Sequence, residues 1–236
     1  MSREDDALER IRNYHASLEA PPGNWEAKRT LARAVRGLMD SLCATDAPPS
    51  ELLAIAAQVE ESARRFADQP RMIDPPGVAE GSLGGGMEMF MDRSPLVGLA
   101  NPVAPPLRLD PNPETRIVLG SVTFGNAYEG APGCVHGGHV AAVFDEALGM
   151  ACIFSGVPGM TGEITVSYRK PTPIHVPLRI EARFERMEGR KIYTSGELFF
   201  EDTLLAKSTG LFISIKREKF LELRQEQMRR ESDQEA

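Results

Sequence analysis

Residues 134–154 read Cys134-Val135-His136-Gly137-Gly138-His139-Val140-Ala141-Ala142-Val143-Phe144-Asp145-Glu146-Ala147-Leu148-Gly149-Met150-Ala151-Cys152-Ile153-Phe154. After the glycine pair, small and apolar residues fall on nearly every side of a helical projection. That predicts a helix enclosed by the rest of the fold. Asp145 and Glu146 break the pattern two turns in, too deep to cap the helix start. A carboxylate in apolar surroundings is costly unless it is paired, hydrogen-bonded or used. The two lie roughly 100° apart on the helix, so one can enter a cleft while the other meets solvent or a second chain. Glycine lets the backbone approach a ligand closely, and the free N–H groups of a helix start can hold a developing oxyanion. This layout suits acyl transfer. Its plainer alternative is a tight strand-to-helix turn with carboxylates at a wet edge.

Around this helix the pattern is β. Arg116 to Phe124 is rich in strand formers. Leu178, Ile180, Ala182 and Phe184 alternate with Arg179, Glu181, Arg183 and Glu185, a period of two with one apolar face. Glu188-Gly189 reads as a tight turn into a strand at 192–200, and Glu201-Asp202 turns again into one at 204–215. An antiparallel meander interrupted by one helix is an α+β domain, placed at 114–216.

The preceding sequence differs. Leu31, Val35, Leu38, Met39 and Leu42, then Leu52, Leu53, Ile55, Ala56, Val59, Ala63 and Phe66, form helical stripes within a helical extension at 1–69. Such stripes ordinarily pack on something, and Ser50 is placed to cap the second helix. Residues 70–113 hold nine of the 18 prolines and the run Gly84-Gly85-Gly86, which predicts a connector without regular elements. The Gly run lacks the features of a phosphate-binding loop. Residues 217–236 form a charged tail.

The 236-residue chain has net charge −7, from 27 basic and 34 acidic residues. That argues against a nucleic-acid partner, which needs concentrated basic surface. No uninterrupted apolar run reaches the ~18 residues of a membrane span. The charged start Met1-Ser2-Arg3-Glu4-Asp5-Asp6 lacks the apolar core of a signal peptide, so the expected location is cytoplasmic. Cys43, Cys134 and Cys152 have neither disulfide-framework nor metal-ligand spacing.

His136-Gly137-Gly138, Asp145 nine residues later and Thr161 sixteen further on resemble the hotdog-fold acyl-CoA thioesterases of the PaaI-like, phenylacetate-pathway family. The segment from Met160 to Pro173, with Tyr168-Arg169-Lys170-Pro171, and Glu188-Gly189-Arg190-Lys191 are similar to that family too. The resemblance covers about 115–215, and Ser94–Leu109 more weakly. It implies a hotdog fold, an antiparallel sheet wrapped around a central helix, paired as a homodimer or dimer of dimers with active sites at the subunit interface. It implies hydrolysis of an acyl-CoA to a carboxylic acid and free CoA, with no cofactor.

The resemblance makes Asp145 the catalytic carboxylate, as base on water or as nucleophile, with Glu146 the alternative. Gly138 N–H is then the oxyanion donor and Gly137 shapes the turn. His136 positions the substrate, and the Thr161 hydroxyl orients water or carboxylate from the other subunit. Arg169, Lys170, Arg190 and Lys191 are the basic groups expected to receive the CoA phosphates. Two other functions compete. A non-catalytic acyl-CoA binding scaffold is motivated by the extension. A hydratase is disfavoured, because the carboxylate sits inside the His-Gly-Gly helix.

Overall fold

The computed structural model describes residues 7–9, 11–12, 23–70 and 91–214. Its helices are α1 (Trp25–Ala44), α2 (Pro49–Ala67) and α3 (Gly137–Ala151); its strands are β1 (Arg108–Asn112), β2 (Ile117–Val122), β3 (Gly159–Tyr168), β4 (Leu178–Glu188), β5 (Lys191–Phe200) and β6 (Thr203–Ser214). The charged tail at 217–236, the Gly84-Gly85-Gly86 run and most of residues 1–22 lie outside the described residues.

The strands form one antiparallel sheet in the order β1-β2-β4-β5-β6-β3. The periods of two read from the sequence survive in it, with Leu178, Ile180 and Ala182 buried and Arg179 and Arg183 exposed. The sheet curls around α3, whose Val140, Val143, Phe144, Ala147, Leu148 and Ala151 are buried against it. Gly196 and Gly210 let the helix come close: a Cβ on Gly196 would stand 3.2 Å from Leu148 and 3.3 Å from Phe144. This is the hotdog arrangement. By length and composition Gly137–Ser155 would pass for a membrane span, but its inner face is core packing on the sheet.

Three expectations are corrected. The sheet starts at Arg108, inside the stretch read as connector, and the domain boundary at 114 moves back accordingly. Pro111 hides this strand from the sequence. It is tolerated because β1 is an edge strand, where a missing N–H breaks no central ladder. The stretch before β1 is likewise part of the body, since Met91, Val97, Ala104 and Leu107 are buried. Ser50 does not cap α2: the helix starts at Pro49 after Pro48, with no side-chain cap, which suits a proline in the first turn.

Among the described residues nothing buries the stripe of α2. Leu52 (37%), Val59 (47%) and Phe66 (59%) keep large exposed fractions, and no residue of α2 is buried. By contrast α1 docks on the body through Trp25, Arg29, Ala32, Arg36 and Asp40. The Arg29 Nε–H donates to both carboxylate oxygens of buried Asp92 at 2.8 and 2.9 Å. Arg36 donates to the carbonyls of Asn101 and Leu99, and Asp40 Oδ1 accepts from the Asn126 N–H at 2.6 Å. Burial pushes the Asp92 carboxyl up, while its hydrogen bond to Arg29 and that residue's charge pull it down.

Removing one partner of a buried ion pair is more damaging than replacing both. Asp92→Ala should therefore cost about 3–5 kcal/mol in denaturant unfolding. The double substitution Arg29→Met with Asp92→Leu should recover most of that loss. Equal losses in the two variants would show that the ion pair does not anchor α1.

Candidate active site

The start of α3 is built by a short loop folded back on itself. The Gly130 N–H donates to Cys134 O and the His136 N–H to Tyr128 O, closing a small hairpin that presents His136. Gly133 sits at its tip with φ of +73°, a conformation that favours glycine. His136 is the N-cap of α3, and its Nδ1 accepts from the Gly138 N–H at 3.1 Å. Nδ1 is thus the acceptor, and the imidazole proton belongs on Nε2 in the neutral ring.

This changes the expected division of labour. The Gly138 N–H, chosen from the sequence as the oxyanion donor, is held by the histidine cap. The Gly137 N–H meets no acceptor among the described residues. Gly137 is also clasped from the sheet: the Tyr168 hydroxyl donates to Gly137 O at 2.7 Å, and a Cβ on Gly137 would stand 3.3 Å from that oxygen. Tyr168 was quoted for resemblance alone, and its part in fixing the helix start was missed.

Asp145 lies beside the fully buried face of α3, with half-buried Ala142, Glu146 and Gly149. The Thr161 hydroxyl donates to Asp145 Oδ1 at 2.8 Å. The two residues belong to the same chain. A β-bulge makes the contact: β3 slips register against β6 between Thr161 and Glu163. The extra residue, Gly162, re-aims Thr161 toward the helix. A Cβ there would stand 3.3 Å from Leu211 O. The glycine between Thr161 and Glu163 was the available signal for the bulge.

Glu146 is half-buried and its carboxyl is pushed up to about 7, first by burial and then by the charge of Asp145. Beside the cap, His139 packs edge-on to Tyr128 at 5.1 Å between ring centroids and lies 6.1 Å from His136. Burial and the neighbouring His136 push its imidazole down. Cys152, with its thiol pushed up to about 12 by burial, is unsuited to nucleophilic work. No group of His, Cys, Asp and Glu among the described residues could hold a metal ion.

The four basic residues expected to hold CoA phosphates are not brought together in one chain. The Arg169 and Lys170 N–H groups donate to Leu205 O at the start of β6, while Arg190 is bonded to Ser214 at its end. Nine strand residues separate these anchors by about 30 Å. A cavity of 740 Å³, lined among others by Arg29, Met91, Val97, Leu107, Leu119 and Arg179, lies where α1 meets β1, β2 and β4, and does not include the Asp145 site.

The thioesterase superfamily model matches residues 132–207, which hold the cap, the glycine pair, Asp145, Thr161 and the Tyr168 clasp. Over that stretch, about a third of the chain, the sequence resembles the thioesterase superfamily. Acyl-coenzyme A thioesterase THEM4 of Mus musculus is 36% identical over 93 residues, 39% of this chain and 40% of the mouse protein. Acyl-coenzyme A thioesterase THEM5 of Homo sapiens is 28% identical over 96 residues, 40% of this chain and 39% of the human protein. The chain therefore matches about 40% of the length of these curated relatives. The crystal structure of a thioesterase superfamily protein, 28% identical, superposes with a TM-score of 0.72 over 83% of this chain and 94% of its own. Residues 91–236 alone could not supply that overlap, so the likeness reaches into the N-terminal extension.

Glu146 offers a pH test. Its carboxyl stands near 7 in the fold against an ordinary 4.5, so folding favours the protonated form. That contribution is full below about pH 4.5 and is lost as pH rises through 7. Glu146→Gln keeps the neutral shape. Its stability should match the parent near pH 4.5 and exceed it at pH 8, by at most about 3 kcal/mol. A variant less stable than the parent at pH 8 would show that the ionised carboxylate is the form the fold favours.

Proposed function

We propose that the chain hydrolyses acyl-CoA thioesters, with each active site assembled from two copies of it. What carries this reading is a distance. Gly137 and Asp145 are eight residues apart on one rigid helix, about 12 Å along its axis. A general base working through one water and an oxyanion donor must both lie within a few ångströms of the same carbonyl. One chain therefore cannot bring its own Gly137 N–H and its own Asp145 to one thioester.

A second copy supplies the missing half. β3 is an edge strand of ten residues with mostly exposed positions, and Met160 (52%) and Tyr168 (53%) leave apolar surface uncovered. Such an edge is a pairing template. The Thr161–Asp145 pair lies toward the start of β3, and the Tyr168–Gly137 clasp marks its end. Antiparallel pairing of β3 with its copy sets the start of one strand beside the end of the other. The helix start of one chain then meets the Thr161–Asp145 pair of its partner. The same symmetry brings Arg190 and Lys191 of one chain toward Arg169 and Lys170 of the other, a joint basic patch for the CoA phosphates.

The chemistry follows from the acceptors. Thr161 occupies Oδ1 of Asp145, which leaves Oδ2 open. Oδ2 and the lone pairs of the Thr161 hydroxyl hold one water by both its hydrogens. That aims the water's own lone pair at the carbonyl carbon. Asp145 takes the proton as the C–O bond forms, and the developing oxyanion falls on the Gly137 N–H of the other chain. The C–S bond then breaks, and the thiolate, a good leaving group, needs no strong acid. The names of the curated relatives and the superfamily match support this substrate class.

Complementation tests the shared site. Asp145→Asn removes the base. Gly137→Pro removes one N–H at the first helical residue, where proline is tolerated. Each variant alone should lose nearly all thiol release from acyl-CoA. After subunit exchange, a 1:1 mixture should recover about a quarter of parent activity, because each mixed dimer regains one intact site. No recovery, with exchange verified, would overturn the shared site. Acyl-CoA binding without turnover in the parent would overturn hydrolysis itself. A single turnover in 18O-labelled water should put the label into the acid product; label in the Asp145 carboxylate would make that residue the nucleophile instead.

A further inference from the structure

The most exposed apolar feature among the described residues is the seam of α2. Apart from half-buried Ile55, every residue of this 19-residue helix is exposed, and none is buried against another described element. An isolated helix of this length is marginal in water, so its apolar stripe calls for a partner.

The stripe has a specific pattern. Leu52, Ala56, Val59, Ala63 and Phe66 follow at spacings of four, three, four and three, the seam of a helix that pairs with another helix. On α1, Leu31, Val35, Leu38 and Leu42 have the same spacing on the side away from the body.

The sizes along α2 identify its occupant. The order of sizes, large, small, large, small, large, is the same in both directions, with Leu52 and Phe66 each seven residues from Val59 and the alanines three before and four after it. A two-fold contact requires that symmetry, because the same patch must serve both partners. Reversed on itself, α2 places Leu52 against Phe66, Val59 against Val59, and the two alanines between them where the backbones come closest. The charges agree. Glu51 stands in the first turn and Arg65 in the last, so antiparallel pairing sets acidic against basic at both ends and opposes the two helix dipoles. A lipid surface is the poorer occupant: Glu51, Glu60 and Glu61 outnumber Arg64 and Arg65, whereas helices that lie on anionic membranes are basic.

We infer that α2 is a self-association helix that pairs antiparallel with the α2 of a second copy of this chain, centred on Val59. The pairing lies outside the catalytic helix and adds a contact to the β3 edge. It commits Leu52, Val59 and Phe66 to the interface and leaves Glu61, on the opposite side, in solvent.

Cysteine cross-linking of the full chain in a Cys43→Ser background tests it, because Cys43 is an exposed thiol at the end of α1. Under mild oxidation, Val59→Cys should give most of the chain as a covalent dimer. Leu52→Cys and Phe66→Cys should each stay monomeric on a denaturing gel, yet link to each other when mixed. In the antiparallel pair, like positions at the ends lie about 21 Å apart, beyond disulfide reach. Glu61→Cys should behave like the Cys43→Ser parent. No dimer from Val59→Cys would overturn the inference, and so would linkage by Leu52→Cys alone or equal linkage by Glu61→Cys. In sedimentation, Val59→Glu should weaken association at least tenfold with helicity elsewhere retained; an unchanged dissociation constant would overturn it too. These readouts do not involve hydrolysis, so they stand or fall separately from the thioesterase reading.

Discussion

Everything in this fold depends on how closely a curved sheet can approach one helix. α3 buries Val140, Val143, Phe144, Ala147, Leu148 and Ala151 in the concave face, and Gly196 and Gly210 remove side chains where Leu148 and Phe144 need the room. Full burial of a valine, leucine or phenylalanine side chain is worth roughly 1.5–3 kcal/mol. Four of these, with two alanines, fix the helix axis and its rotation. Once the rotation is fixed, so is the face beside the buried one. Asp145 and Glu146 stand on that face because Phe144 and Ala147 on either side of them are inward.

Enclosure on one side also explains the difference between two neighbouring carboxylates. Asp145 has a donor in Thr161, delivered by the Gly162 bulge. Glu146 has no such donor among the described hydrogen bonds and shares its surroundings with a like charge, so it is pushed up toward neutrality. The bulge is the device: one inserted residue in a strand chooses which carboxylate receives the hydroxyl.

Much of this was legible in the sequence. The period of two at 178–185, the turn at Glu188-Gly189 and the apolar helix after Gly137-Gly138 each follow from a local rule, and each element formed where the rule placed it. What escaped needed information from across the fold. Pro111 argues against a strand until the strand is known to be an edge. Gly138 looked like the free donor because nothing in a linear sequence says that His136 would fold its own ring back over it. That Thr161 reaches Asp145 of its own chain also escapes, because sixteen residues do not reveal a bulge that turns the side chain toward the helix. The four basic residues share a charge and a resemblance, and only the ladder of β6 shows that they stand at opposite ends of a strand.

The extension obeys the same geometry at a different scale. A helix that packs on one body needs a single apolar face. α1 has two, one of them studded with Arg29, Arg36 and Asp40 that bond to the body, the other aliphatic and exposed. The polar face is the one that docks, because its partners are the carboxylate of Asp92, backbone carbonyls of the proline-rich segment and the N–H of Asn126, groups that a connector without regular structure leaves unpaired. A segment that cannot satisfy its own backbone is well served by a helix bearing long donors. That assignment leaves the aliphatic face of α1 and the whole of α2 free of the body. Among the described residues, the apolar stripes for which the sequence expects a packing partner are largely exposed instead.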